Sequence, residues 1–330
     1  MNNHPPRKPI TRIISEAYIP ELPNYYPGKV RENYFLNDGT RITIATDRLS
    51  AFDRNITCIP HKGELLNKIT QYWFQHTSDI CENHALDYPD PNVLVGKQLQ
   101  MFPIELIVRG YLAGNTKTSL LTFYKKGQRT IYGHSLPDNM HDNQKLPHTI
   151  ITPTTKSSGP NFEHDKPISP HEIIQKGILT QNQWETISSY ALALFERGCK
   201  LASERDLILV DSKYEFGLDK KNNIVLADEI HTPDSSRYWK AETYEKSLKE
   251  GTSPEGLDKD LIRNWILTHC NPYKDNIPNI PENILLHISQ TYMTAYERIT
   301  GLKFIGENSD FSPLHRIRNN LEQYINRCCT

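Results

Sequence analysis

Residues 29–35 and 41–46 read as two strands. Asn37, Asp38 and Gly39 between them supply the positive φ that a tight hairpin turn requires. The opening of the chain is therefore expected to be β-rich. Residues 64–76 change the period: Leu65, Leu66, Ile69, Tyr72, Trp73 and Phe74 recur at helical spacing and predict one buried face. Residues 93–99 and 104–111 predict two more strands, joined through Gln100, Met101, Phe102 and Pro103. Thr116 is the expected cap of a short helix running to Tyr124. Residues 138–170 are rich in Pro, Asn, Thr, Ser and His without periodicity and read as a long loop. A helical region then passes through Ile187, Tyr190, Leu194 and Leu201 to a strand at 207–210. Helices are expected again at 261–267, 284–296 and 314–325. The pattern shifts from hairpins to alternating helix and strand near Leu112, which is the expected lobe boundary, dividing 1–112 from 113–330.

The densest chemistry lies at 210–217, VDSKYEFG, and at 224–229, IVLADE. In a strand Asp211, Lys213 and Glu215 share one face, opposite Val210, Tyr214 and Phe216. One cation and two carboxylates on one face can neutralise phosphate and hold a hard divalent ion; the other reading is a solvated charged face. Arg109 ends an apolar strand before Gly110 and Gly114, and a buried-strand arginine must meet a protein carboxylate or a ligand phosphate. Ser235, Ser236 and Arg237 are candidates to share that anion, and Lys156 is a further cation. Gly28, Lys29, Val30 and Arg31 offer close backbone approach and two charges, as a phosphate turn or as an ordinary surface turn. The 100–103 connection, with Glu105 beyond it, suits either an adenine edge or a plain strand junction. Asp47, Ser50 and Asp53 read either as a capped loop or as the lining of a substrate cleft.

These motifs together resemble the phosphoribosylaminoimidazole-succinocarboxamide synthase family, the SAICAR synthetases. The resemblance rests on VDSKYEFG and on ADEIHTPDSSRYW at 227–239. It extends to PGKVRENYFL at 27–36, ATDRLSAFD at 45–53, FPIELIVRGYLAGN at 102–115 and the stretch 152–170. Asn115 departs from it, standing where the family usually has serine. The resemblance implies an α+β fold with kinase-like hairpins in a β-rich first lobe and an α/β second lobe similar to ATP-grasp domains, followed by helices. It implies an ATP-dependent ligase that acts on 4-carboxy-5-aminoimidazole ribonucleotide and L-aspartate with magnesium. Lys29, Asp211 and Lys213 are then the expected catalytic residues. ATP is expected at Gly28, Lys29, Val30, Arg31, Gln100, Met101, Phe102, Glu105 and Asp228. Substrate is expected at Asp47, Ser50, Asp53, Arg109, Gly114, Asn115, Lys156, Ser235, Ser236 and Arg237, and the metal at Glu215 and Asp228.

Composition narrows the alternatives. The 330 residues carry a formal net charge of -1, which gives no electrostatic footprint for nucleic acid or an anionic membrane. Six cysteines are scattered without zinc-type spacing. A reducing cytoplasm is the expected compartment, and a monomer or homodimer the expected state. A small-molecule kinase and a non-catalytic ATP-binding module are the rival readings. The chain lacks an H-R-D catalytic loop, a D-F-G triplet and a P-loop.

Overall fold

The computed structural model describes residues 13–116, 118–156, 166–306 and 312–328. Residues 157–165, within the 152–170 stretch, lie outside them. The fold is α+β. Its first half opens with β1 (Tyr25–Pro27), β2 (Arg31–Phe35), β3 (Thr40–Ala45), β4 (Arg48–Ala51), β5 (Arg54–Cys58) and helix α1 (Lys62–His76). Then come β6 (Ala85–Asp90), β7 (Val93–Lys97), β8 (Gln100–Met101), β9 (Ile104–Tyr111), α2 (Leu120–Lys125), β10 (Thr130–Ile131), β11 (His134–Ser135) and β12 (Lys145–Thr155). The second half holds α3 (Pro170–Gln175), α4 (Gln181–Ser203), β13 (Leu207–Leu218), β14 (Ile224–Ala227) and β15 (Ser236–Lys240). It ends in α5 (Ala241–Glu250), α6 (Asp260–His269), α7 (Glu282–Thr300) and α8 (Pro313–Cys328).

Two antiparallel sheets dominate. The first runs β1-β2-β3-β7-β6. The second runs β12-β9-β13-β14, with β15 and β8 also pairing with β13. The predicted hairpin is β2–β3, where Gly39 takes φ +89° and the Asp38 carboxylate accepts from Thr40 N at 2.8 Å. The sheets part between Lys97 and Gln100, ahead of Leu112, because β9 pairs with β12 and β13. Alternation in β2, β3 and β7 turns Tyr34, Ile42, Ile44, Val93 and Val95 to one face. There they pack on Ile14 and Ile19 and on Ile317 and Leu321 of α8. The last helix thus completes the core of the first sheet, and Arg316 fastens it through Asp90 at 2.9 and 3.0 Å.

The expected long loop contains an eleven-residue strand, β12. Its two prolines hid it. Pro147 falls in the irregular stretch between Lys145 and Ile150, and Pro153 sits on the edge of the sheet, where a missing N–H is tolerated. The short helix α2 begins later than expected. Its cap is Ser119, which accepts from Thr122 N at 3.3 Å, while Thr116 O accepts from Ser119 N.

Helix α1 meets the first sheet at Gly63, where a Cβ would lie 2.4 Å from Ala45 O. Backbone cannot yield as a flexible side chain does. Gly63→Ala is therefore expected to destabilise the protein by about 1–3 kcal/mol through overpacking. Urea denaturation measures this, and an unchanged midpoint would mean that α1 shifts freely.

Candidate active site

Lys213 stands at the centre of the site. It projects from β13 and donates to Glu105 on β9 at 3.3 Å, to Glu215 two positions along its own strand, and to Asp228 just after β14 at 3.3 Å. Period-two alternation puts Lys213 and Glu215 on this face, and the register pairs Glu215 with Ala227, so Asp228 follows across the hairpin. Lys156 also donates to Glu215, and Arg31 donates to Asp228 and lies 2.8 Å from Glu229. Burial alone would lower the Lys213 pKa, but Glu105, Glu215 and Asp228 hold it well above the ordinary lysine value. Burial also works against an ionised Asp228, yet Arg31 and Lys213 keep it well below the usual carboxylate range. Glu215 moves the other way, pushed up by burial and by the Asp228 charge despite Lys213.

The turn of Gly28, Lys29 and Val30 joins β1 to β2. Gly28 N donates to Arg31 O at 2.8 Å, and the Arg48 guanidinium grips Gly28 O at 3.0 Å and Lys29 O at 3.1 Å. Lys29 itself is half-exposed and pairs with Asp53 at 3.1 Å. The turn approaches Lys213 through Arg31, since both contact Asp228. Gln100 and Met101 pair with Leu218 and Gly217. Phe102 is buried in the main core and its N–H donates to Phe216 O at 2.9 Å, which fixes the connection to β13.

Arg109, Asp211 and Arg237 sit side by side across β9, β13 and β15, because Asp211 is in register with both arginines. The Asp211 carboxylate accepts from Arg109 at 3.0 Å and from Arg237, while Arg237 Nε donates to Asp260 at 2.9 Å. Both guanidiniums are buried and already have carboxylate partners. Asp211 therefore belongs to the arginine set and makes no contact with Lys213. Gly114, Asn115 and Arg237 open onto one cavity of about 320 Å³, together with Asp258, Asp260 and Asn264. Gly114 takes φ +105° there, and a Cβ would lie 2.6 Å from the Ser119 Cβ. Asn115 Nδ2 donates to Asn264 at 2.9 Å.

Four further residues expected at the substrate have protein partners of their own. Asp47 is buried, and its oxygens accept from Ile14 N at 2.8 Å and from Gly63 N in the first turn of α1 at 2.9 Å, so the carboxylate ties together segments distant in sequence. Burial raises its pKa to about 6. Ser235 Oγ is spent on Thr232 N at 3.1 Å. Ser236 faces away from Arg237, as alternation requires, and donates to Ser212 Oγ at 2.8 Å. Ser50 meets Lys259 through its carbonyl at 3.3 Å.

Sequence reasoning missed a second buried charge cluster. Asp234 lies 2.8 Å from both Lys62 and Lys259 and accepts from the Tyr292 hydroxyl at 2.6 Å. Burial opposes its ionisation, but Lys259 and Lys62 hold it low. Asp234 belongs to the quoted 227–239 motif, and that membership was the available signal; Lys62, Lys259 and Tyr292 come from three separate helical regions. Among the described residues no group of three or more His, Cys, Asp or Glu is placed to hold a metal, and no helix is long and apolar enough to cross a membrane.

Comparison with known proteins points to one family. The family model for SAICAR synthetase matches residues 24–280. A phosphoribosylaminoimidazole-succinocarboxamide synthase of Legionella pneumophila is 46% identical over 313 residues, covering 94% of this chain and 98% of its own. The Saccharomyces cerevisiae SAICAR synthase, solved in complex with SAICAR, superposes with a TM-score of 0.75 at 30% identity, covering 88% of this chain and 99% of that one. A SAICAR synthetase solved with ADP gives 0.65 at 26% identity, covering 86% of this chain and 100% of that one. The chain thus belongs to the SAICAR synthetase family, carbon–nitrogen ligases of purine biosynthesis.

Proposed function

We propose that the protein uses ATP to join the carboxylate of 4-carboxy-5-aminoimidazole ribonucleotide to the amine of L-aspartate, releasing ADP and phosphate in de novo purine synthesis. The observation that carries this reading is the convergence of Glu105, Glu215 and Asp228 on Lys213, on the strand that also bears Asp211 between two arginines. That strand joins a site suited to nucleotide phosphates to one suited to a phosphorylated substrate. Solved relatives bound to SAICAR and to ADP support both halves.

A carboxylate oxygen is a poor leaving group. Transfer of the γ-phosphoryl group to the substrate carboxylate forms an acyl phosphate and frees ADP. The aspartate amine then attacks the carbonyl carbon, and phosphate departs with the former carboxylate oxygen while the nitrogen loses a proton. Lys213, Lys29 and Lys156 neutralise phosphate charge, Arg31 links the turn to Asp228, and Gly28 and Val30 let the backbone approach the nucleotide. Gln100 and Met101 carry the adenine edge, with Glu105 beside them. Arg109 and Arg237, oriented by Asp211, take the ribonucleotide phosphate with Gly114 and Asn115.

Glu215 and Asp228 both reach the ammonium of Lys213, so their oxygens converge. Two hard oxygen donors fit magnesium, which commonly binds one or two carboxylates and completes its shell with phosphate and water. When bound, the ion supplies charge neutralisation on the phosphates.

An isotope experiment tests this chemistry. With the substrate carboxylate labelled with heavy oxygen, one labelled atom is expected in each inorganic phosphate released. Unlabelled phosphate would overturn the acyl-phosphate route.

A further inference from the structure

Two non-glycine residues of the segment after β14 hold left-handed backbone, Asp228 at φ +59° and His231 at φ +54°. Such conformations persist only where surrounding contacts over-determine them. Those contacts lie beneath the segment. The His231 ring is fully buried, with Nε2 at 2.6 Å from the Tyr214 hydroxyl, and its carbonyl accepts from the Tyr238 hydroxyl at 2.7 Å. Trp73 stands edge-on to the ring at 4.5 Å between centroids. From α4, a Cβ on Gly198 would lie 2.6 Å from His231 Cε1 and 2.7 Å from Leu209 Cδ2 on β13, so only glycine leaves room for the imidazole and the strand beside it.

His231 is a costly residue for this core. Its Nδ1 is buried without a hydrogen-bond partner, a penalty that an apolar side chain would avoid. The gain lies at Nε2. Tyr214 stands between Lys213 and Glu215 in sequence but points into the core while they face the cleft. This bond ties the strand bearing Lys213 and Glu215 to the segment bearing Asp228 and Glu229 from the core side, between the ladder pair of Glu215 with Ala227 and the bond from Lys213 N to Ser235 O at 2.9 Å. Burial lowers the His231 pKa to about 3, so the ring stays neutral and the tie holds near neutral pH.

We infer that His231 is a positioning residue whose bond to Tyr214 locks the 228–231 segment onto β13 and so fixes Asp228 relative to Lys213 and Glu215. It touches no substrate and acts through Asp228, so its catalytic consequence rests on the role proposed for that carboxylate.

Tyr214→Phe removes the hydroxyl and keeps the ring. Amide exchange at residues 228–236 is expected to rise about tenfold or more relative to α7, as for local unfolding. The kcat should fall and the half-saturating magnesium concentration rise, each about tenfold, with the ribonucleotide KM within about twofold. Gly198→Ala, which presses on the ring from α4, should give the same signature, so whichever variant folds decides the matter. Ile187→Val, a buried α4 change away from the ring, is the control for general destabilisation. A lowered melting temperature with exchange and magnesium dependence matching that control would overturn the lock. Local exchange rising with magnesium dependence unmoved would uphold the lock and remove the metal role from Asp228.

Discussion

Replacing Asp228 or Glu215 with alanine is expected to lower kcat by about a hundred- to a thousand-fold while leaving the protein folded, the scale seen when a preorganised electrostatic group is lost. The fold should survive because the more deeply buried neighbouring cations keep partners, while Lys156, which loses its ion pair when Glu215 is removed, is partly exposed and can turn to water. Without Asp228, Arg31 retains Glu229, and Lys213 retains Glu105 and Glu215. Without Glu215, Lys213 still meets Glu105 and Asp228. Removal of Glu215 also relieves repulsion, since burial and the Asp228 charge already push its pKa upward. Activity should fall because the remaining carboxylate offers the metal one side-chain ligand. Rates measured against rising magnesium, beside thermal melts, check this. Near-normal turnover at low magnesium would make both carboxylates structural.

The second large effect is expected at Arg237. Losing one guanidinium from a desolvated phosphate site costs roughly 2–4 kcal/mol, or about thirty- to a thousand-fold in apparent affinity. Arg237→Ala should therefore raise the ribonucleotide KM strongly and the ATP KM little. Its present partners, Asp211 and Asp260, are not left without cations: Asp211 keeps Arg109 at 3.0 Å and Asp260 keeps Arg263 at 3.0 Å. Asn115→Ser should change both constants by less than about tenfold, because either side chain can donate one hydrogen bond. Equal weakening of ATP and ribonucleotide by Arg237→Ala would move the arginine to the nucleotide side of the cleft.

What the sequence revealed follows from how local each feature is. The alternation of Lys213 and Glu215 against Tyr214 and Phe216 is a property of one strand and was readable directly. The β2–β3 hairpin was announced by Asp38 and Gly39, and the main face of α1 by its apolar spacing. The sharing of Asp211 by two arginines was not readable, because it depends on β9 and β15 flanking β13 in register. Asp47 offered two roles, a capped loop or the lining of a cleft, and its bonds to Ile14 N and Gly63 N depend on segments too distant in sequence to be read locally. The 145–155 strand was masked by prolines that an edge position tolerates. Nothing local told that a helix at 313–328 would close the core of a sheet formed by residues 25–97. The Lys62–Asp234–Lys259 cluster was equally hidden, since a buried lysine differs from a solvated one only in what folds around it.

ADP release measured with each co-substrate omitted in turn tests amide ligation at this site. Full-rate ADP production is expected only with ATP, 4-carboxy-5-aminoimidazole ribonucleotide and L-aspartate together. Full-rate ADP production without aspartate would contradict amide ligation and point to a kinase, and release without either co-substrate would contradict any role in joining them.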